Sequence, residues 1–319
     1  MEKKTASKVT RNRARSKRVL DVRPGMYSDG TPLHEVRYVE CKLILRPNHF
    51  TSRQSLFDFT KLIRRPAAEH EVEFSSKKFA DAPLQIREVL FMDTADNRLY
   101  NNALILRRRI PYEDGFPTGD PEIVLKFRHP KLQTAAEMDV RPQIVGDYRI
   151  KFKAEALPLK HQLGGTRLLF SHNVQFPLSH VLENDLDMKG DPTSMASMMR
   201  VFPPLRRLQV SRSEKLELVS DTIVEEVLQD VGILDFGDGI SAKANVALWR
   251  VRGNHRPLTG EFAFEVKFKR REDLKMRAMD RAQAFFVALQ LAAKDWVSLG
   301  TTKTGVVYHL KGNPPQAHE

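Results

Sequence analysis

The sequence predicts a mainly β protein of the α+β class, a closed antiparallel barrel of eight or nine strands with a polar lumen and flanking helices. Three observations predict it. In residues 104–109 and again in 123–128, cationic side chains two residues apart follow an apolar run. Successive side chains of a strand point to opposite faces. Arg107 and Arg109 therefore share one face, as do Lys126 and Arg128, with Leu106, Leu125 and Phe127 behind them. Several further segments have one charged and one apolar face, with Arg, Lys and Glu recurring at strand centres. Finally, amphipathic helices are available to cover the apolar faces, and a barrel with a polar lumen satisfies both needs. Clustered cations facing inward form an interior suited to a highly anionic ligand.

The first strand falls at 35–45, with Val39, Cys41, Leu43 and Leu45 on one face and Tyr38, Glu40, Lys42 and Ile44 on the other. A helix follows, opened by Thr51 with Gln54 at capping-box spacing. Leu56, Phe59, Leu62 and Ile63 form its stripe and Pro66 ends it. Strands are expected at about 86–93, 103–110, 121–128 and 136–144, with a hairpin loop at 112–121. Residues 146–204, with scattered Pro and Gly and a run at Met195–Met199 read as packing residues, form an irregular insertion. A strand is expected at 206–218 and a short helix at 220–232, where Thr222 and Glu225 have capping-box spacing. Strands at 245–252 and 261–269 follow, the second with Phe262, Phe264, Val266 and Phe268 on its packed side. The strongest helix covers 280–299, and a last strand covers 303–310.

The chain has 319 residues and a formal net charge of +12. Nine Lys and Arg against Glu2 and Asp21 give residues 1–23 a charge of +7, so most of the basicity belongs to the start of the chain. Residues 1–30 are expected to be a disordered basic arm, 31–312 a single domain with its insertion at about 146–204, and 313–319 a tail. Two readings of the arm stand: a contact for nucleic acid or another acidic partner, or a solubilising tail. No run is apolar and long enough to span a membrane as a helix. The single cysteine, Cys41, excludes an internal disulfide, and the cytoplasm is the expected compartment.

Other motifs fail. No Gly-x-x-x-x-Gly-Lys phosphate loop and no Gly-x-Ser-x-Gly elbow occurs. Ser75-x-x-Lys78 with Lys303-Thr304-Gly305 lacks the third element of a serine acyl-transfer set, and the ten histidines have no ligand spacing.

The segment Asp93-Thr94-x-Asp96-x-x-Leu99, followed by Leu106-Arg107-x-Arg109 and Leu125-Lys126-x-Arg128, resembles the CYTH superfamily, the triphosphate tunnel metalloenzymes. The likeness covers about residues 36–145 and 205–310. It implies a closed eight-stranded antiparallel tunnel that binds a triphosphate or polyphosphate with Mg²⁺ or Mn²⁺. It also implies that Arg107, Arg109, Lys126, Arg128, Arg212 and Lys303 bind phosphate, and that Glu40 and Lys42 act in catalysis. Glu40, Glu265, Glu137 and Asp139 are the metal ligands so implied. The chain departs from the family where Tyr38 and Lys267 stand at acidic positions. Hard divalent cations need carboxylate oxygens, so the thinned acidic half leaves two readings open. One is metal-dependent hydrolysis of a triphosphate or polyphosphate. The other is a weakly active or inactive module that captures polyphosphate, a nucleotide or an RNA 5′-triphosphate end.

Overall fold

A computed structural model describes residues 25–27, 30, 32–184 and 194–314. The expected arm, apart from residues 25–27 and 30, and the tail from residue 315 lie outside the described residues. The strands are β1 (Tyr38–Leu45), β2 (Glu73–Ser75), β3 (Gln85–Asp93), β4 (Leu104–Glu113), β5 (Phe116–Pro117) and β6 (Glu122–His129). They continue with β7 (Arg149–Pro158), β8 (Thr166–Pro177), β9 (Glu217–Asp235), β10 (Ser241–Val251) and β11 (Pro257–Lys267). The helices are α1 (Arg53–Glu69), α2 (Arg98–Asn101), α3 (Leu132–Ala136), α4 (Ser179–Asn184), α5 (Met195–Val201), α6 (Met276–Ala292) and α7 (Lys303–Tyr308).

Nine strands close into a ring in the order β10-β11-β1-β7-β8-β6-β4-β3-β9, with β9 returning to β10. β2 lies beside β9, and β5 pairs with β4. The expected eight-stranded, wholly antiparallel tunnel is thus a nine-stranded mixed one. A ring with an odd number of strands cannot alternate direction throughout, so at least one neighbouring pair must run parallel. That pair is β1 and β7, with Glu40 opposite Glu155.

The two faces of the staves divide as the alternation requires. Outside, Cys41, Leu43 and Leu45 of β1 and Phe262, Phe264 and Val266 of β11 pack with Phe59 and Ile63 of α1 and Phe285, Phe286 and Leu289 of α6. A second apolar cluster joins Leu106, Leu125 and Phe127 to Met195, Met198 and Met199 of α5, which confirms the packing role of the Met run. A third gathers Phe91, Trp249, Tyr100 and Tyr308 around α2 and α7. Among the described residues no helix is long and apolar enough to cross a membrane.

Several expectations are corrected. Residues 146–204 are no irregular insertion, because they contain β7 and β8, two staves of the ring. The strand expected at 136–144 is the end of α3 and an extended loop in which Arg141 binds Asp139. The strand expected at 206–218 begins in a 3-10 turn, Pro203–Leu208, and only its last residues enter β9. The helix expected at 220–232 is instead the middle of β9. There it fills the gap between β3 and β10, whose backbone groups would otherwise lack partners. The last strand is α7, capped by Thr302, whose hydroxyl accepts from the Gly305 N–H at 3.0 Å. Pro66 does not end α1, which runs three residues further with Pro66 buried inside it, and the cap is Ser52 with Ser55.

Candidate anion-binding tunnel

The ring encloses a cavity of about 450 Å³. Its wall carries Lys42, Arg87, Arg107, Arg109, Lys126, Arg128, Arg149, Lys151, Lys153, Lys243 and Lys303, against Glu40, Glu155, Glu226, Glu261 and Glu265. Eleven cations minus five carboxylates leave an excess of six positive charges. Each strand supplies its charges by the two-residue repeat: Glu40 and Lys42 from β1, Arg107 and Arg109 from β4, Lys126 and Arg128 from β6. β7 contributes four in succession, Arg149, Lys151, Lys153 and Glu155, with Ile150, Phe152, Ala154 and Ala156 turned away.

Of the residues singled out from the sequence, Glu40, Lys42, Arg107, Arg109, Lys126, Arg128, Glu265 and Lys303 therefore meet in one lumen. Arg212, Glu137 and Asp139 do not, and their expected place in it is corrected. Arg212 is exposed in a turn before β9. Glu137 and Asp139 border a smaller cavity of about 150 Å³ beside His172. The strand that was to carry the last two inward does not form. The sequence reading missed Arg87, Arg149, Lys151, Lys153, Lys243, Glu155, Glu226 and Glu261. For β7 the signal was present, since charged and apolar residues alternate without a break over 149–156.

The five glutamates are tied by lysines. Lys42 Nζ lies 2.8 Å from Glu40 and 3.3 Å from Glu155. Lys153 Nζ lies 3.1 Å from Glu40 and also binds Glu265, whose other oxygen accepts from Lys151 at 2.8 Å. Glu155 further accepts from Lys126 and Ser171. Lys303 Nζ lies 3.1 Å from Glu226 and 2.8 Å from Glu261. It also sits 4.6 Å above the Trp249 ring, whose indole N–H donates to Glu226 at 2.7 Å.

These pairs decide the charge states. Burial works against the Glu40 carboxylate, but Lys153 and Lys42 hold its carboxyl well below the usual range. Burial likewise works against Glu155 and Glu226. Lys126, Lys42 and Arg128 keep the first ionised, and Arg87 and Lys303 the second. Arg107 and Arg109 fare differently: neither guanidinium Nε has a hydrogen-bond partner among the described residues, although both atoms are buried. Burial, then Arg128 and Arg87, push Arg107 down to about 10. Burial, then Arg107 and Arg87, push Arg109 well below its ordinary value. Such crowding of cations in low dielectric is relieved when an anion enters.

The Asp-Thr-x-Asp segment has another task. Asp93 is buried and accepts from the backbone N–H groups of Thr94, Leu99 and Tyr100 and from the Tyr308 hydroxyl. Burial pushes its carboxyl up to about 6 despite those bonds. It fastens the β3–α2 turn to α7, and so to Lys303.

Mg²⁺ demands near-octahedral oxygen ligation, and Mn²⁺ prefers oxygen ligands as well. The donor set here does not fit that demand. Glu265, Glu40 and Glu155 stand abreast on β11, β1 and β7, yet lysines lie between them. Among the described residues no three His, Cys, Asp or Glu side chains converge to hold a metal ion.

Fold and site together define a closed β-tunnel with a strongly cationic lumen. No family model and no curated protein matches the sequence. Solved structures with a similar chain path include a Hippeastrum protein described as having a dominant triphosphatase activity. It is 13% identical with a TM-score of 0.41, over 89% of this chain and 100% of that one. A candidate adenylate cyclase from Bacillus halodurans has 13% identity, a TM-score of 0.38 and coverage of 84% and 95%. A Pyrococcus horikoshii protein has 12% identity, a TM-score of 0.32 and coverage of 84% and 96%.

Proposed function

We propose that the tunnel binds a triphosphate or polyphosphate anion. The observation that carries this is the pair Arg107 and Arg109, half-buried side by side on the wall of a lumen with six excess positive charges, each with a buried Nε that has no hydrogen-bond partner among the described residues. A guanidinium can grip a phosphate bidentately. A chain of phosphates supplies the repeated negative charge that cations on opposite walls require. Lys126 and Arg128 on the neighbouring β6, and Lys303 at the start of α7, line the same lumen and would take further phosphoryl oxygens. The resemblance stated for the motif strands points the same way.

A second reading, hydrolysis of the terminal phosphoanhydride, is favoured by Glu265, whose side chain is 25% exposed and faces the lumen. A water oriented there would pass a proton to the Glu265 carboxylate and attack the terminal phosphorus, while the bridging P–O bond breaks and its electron pair leaves with the remaining phosphates. Against it stands the state of Glu40, Glu155 and Glu226, held ionised by cations and therefore weak proton acceptors. Calorimetric titration with inorganic tripolyphosphate tests the binding proposal, and phosphate release from the same compound tests the second reading. Absence of binding by wild type would overturn the first. Absence of release, or release unchanged in Glu265→Gln, would remove the second.

A further inference from the structure

Every glutamate of the tunnel is joined to another by a lysine. Lys153 joins Glu40 to Glu265, Lys42 joins Glu40 to Glu155, and Lys303 joins Glu226 to Glu261. An ammonium group between two carboxylates bridges them as a divalent cation would, with half the charge, and it is fixed to the chain. We infer that Lys42, Lys153 and Lys303 stand in for divalent cations, so that the tunnel takes its polyphosphate as the free anion rather than as a metal complex. This inference rests on the polyphosphate-binding proposal.

The geometry supports it at the row of three glutamates. Glu265, Glu40 and Glu155 occupy facing positions on adjacent strands, so that three lumen carboxylates stand together. Both oxygens of Glu265 and both of Glu155 already contact cations, as does Oε2 of Glu40. A metal ion entering this row would have to displace Lys42 and Lys153 into a lumen already crowded with positive charge. Burial opposes the charge on both lysines, but Glu155 and Glu40 hold Lys42, and Glu40 and Glu265 hold Lys153, protonated beyond their ordinary range. Metal bound to the phosphates fares no better. It would cancel the negative charge that Arg107 and Arg109 lack, and bring its own charge toward them.

Titration of the full chain with inorganic tripolyphosphate, once in EDTA and once in excess Mg²⁺, separates the cases. The expected result is binding in EDTA that weakens, or is unchanged, when Mg²⁺ is added. Binding in Mg²⁺ about tenfold or more tighter than in EDTA overturns the inference and leaves the tunnel proposal standing. Absence of binding in both solutions overturns both. In Lys153→Gln, with folding checked by circular dichroism, Glu40 and Glu265 lose their shared ammonium. Binding in EDTA should weaken about tenfold, with Mg²⁺ restoring part of it. A variant that binds in EDTA as tightly as wild type overturns the role given to Lys153.

Discussion

The Tyr308 hydroxyl donates a hydrogen bond of 3.0 Å to the Asp93 carboxylate, joining residues 215 positions apart. The Tyr308 ring stacks on Tyr100 at 4.0 Å. Asp93 closes the turn after β3 and Tyr308 ends α7, so the contact holds Lys303, at the start of α7, over Trp249 and between Glu226 and Glu261. Tyr308→Phe should keep the stacking and lose this bond. The expected cost is about 1.5–3 kcal/mol, the range for a hydrogen bond to a charged group, measured by urea unfolding. A loss of tripolyphosphate affinity should accompany it if α7 shifts with Lys303.

Arg107→Gln and Arg109→Gln should each weaken tripolyphosphate binding about tenfold or more, since each removes a charge-assisted donor from the lumen. Arg212→Gln should leave the affinity unchanged because Arg212 lies outside the cavity. Isothermal titration of the three variants checks this. Equal losses in all three would mean that binding follows net charge and not the tunnel.

Glu155 is the buried counter-ion of Lys42, Lys126 and Arg128. Glu155→Gln leaves these cations without their shared carboxylate and should cost about 3–5 kcal/mol. The folded carboxyl lies well below its usual 4.5. Its contribution is therefore present above pH 4.5 and is lost as pH falls through the depressed folded value. Unfolding curves of wild type and variant should converge toward that acid limit. Tripolyphosphate should raise the melting temperature of Glu155→Gln more than that of wild type, because the added anion replaces the missing charge.

His172 is 3% exposed and stacks on Phe152 at 4.8 Å. Burial pushes its pKa down from 6.5 to about 4. The folded protein thus binds fewer protons than the unfolded chain between these values, and His172 removes stability as pH falls from 6.5 toward 4. Between pH 7 and pH 5 this amounts to about 2 kcal/mol. Asp93, raised to about 6, works in the opposite direction over part of the range. The comparison therefore rests on wild type against His172→Phe, whose stability should fall less over this interval by about that amount. Identical pH profiles would contradict the burial effect.

Much of the tunnel was legible because its code is short-range. Arg107 with Arg109, Lys126 with Arg128, and Glu40 with Lys42 share faces by local alternation alone, and all six line the lumen. The errors came where local signals conflict with the sheet. Thr222, Val224, Val227, Leu228 and Val231 have helical spacing and a capping residue. They form part of β9 because β3 and β10 each need a hydrogen-bonding neighbour there, and β-branched residues fit that setting. Residues 303–310 are apolar enough for a strand, but the Thr302 cap and the bond from Tyr308 to Asp93 settle a helix. β7 carried its alternation openly in 149–156, hidden only by the irregular residues around it.

By itself the sequence determined which faces are cationic, which are apolar, and that the cations require an anionic partner, because a strand's two-residue repeat is set within a few bonds. Tertiary structure alone decided the number of staves, the parallel pairing of β1 with β7, and the meeting of Glu40, Glu155 and Glu265 with Lys42 and Lys153. Those relations depend on register between segments more than a hundred residues apart. Ring closure fixes them by requiring every stave to satisfy the backbone hydrogen bonds of both neighbours at once.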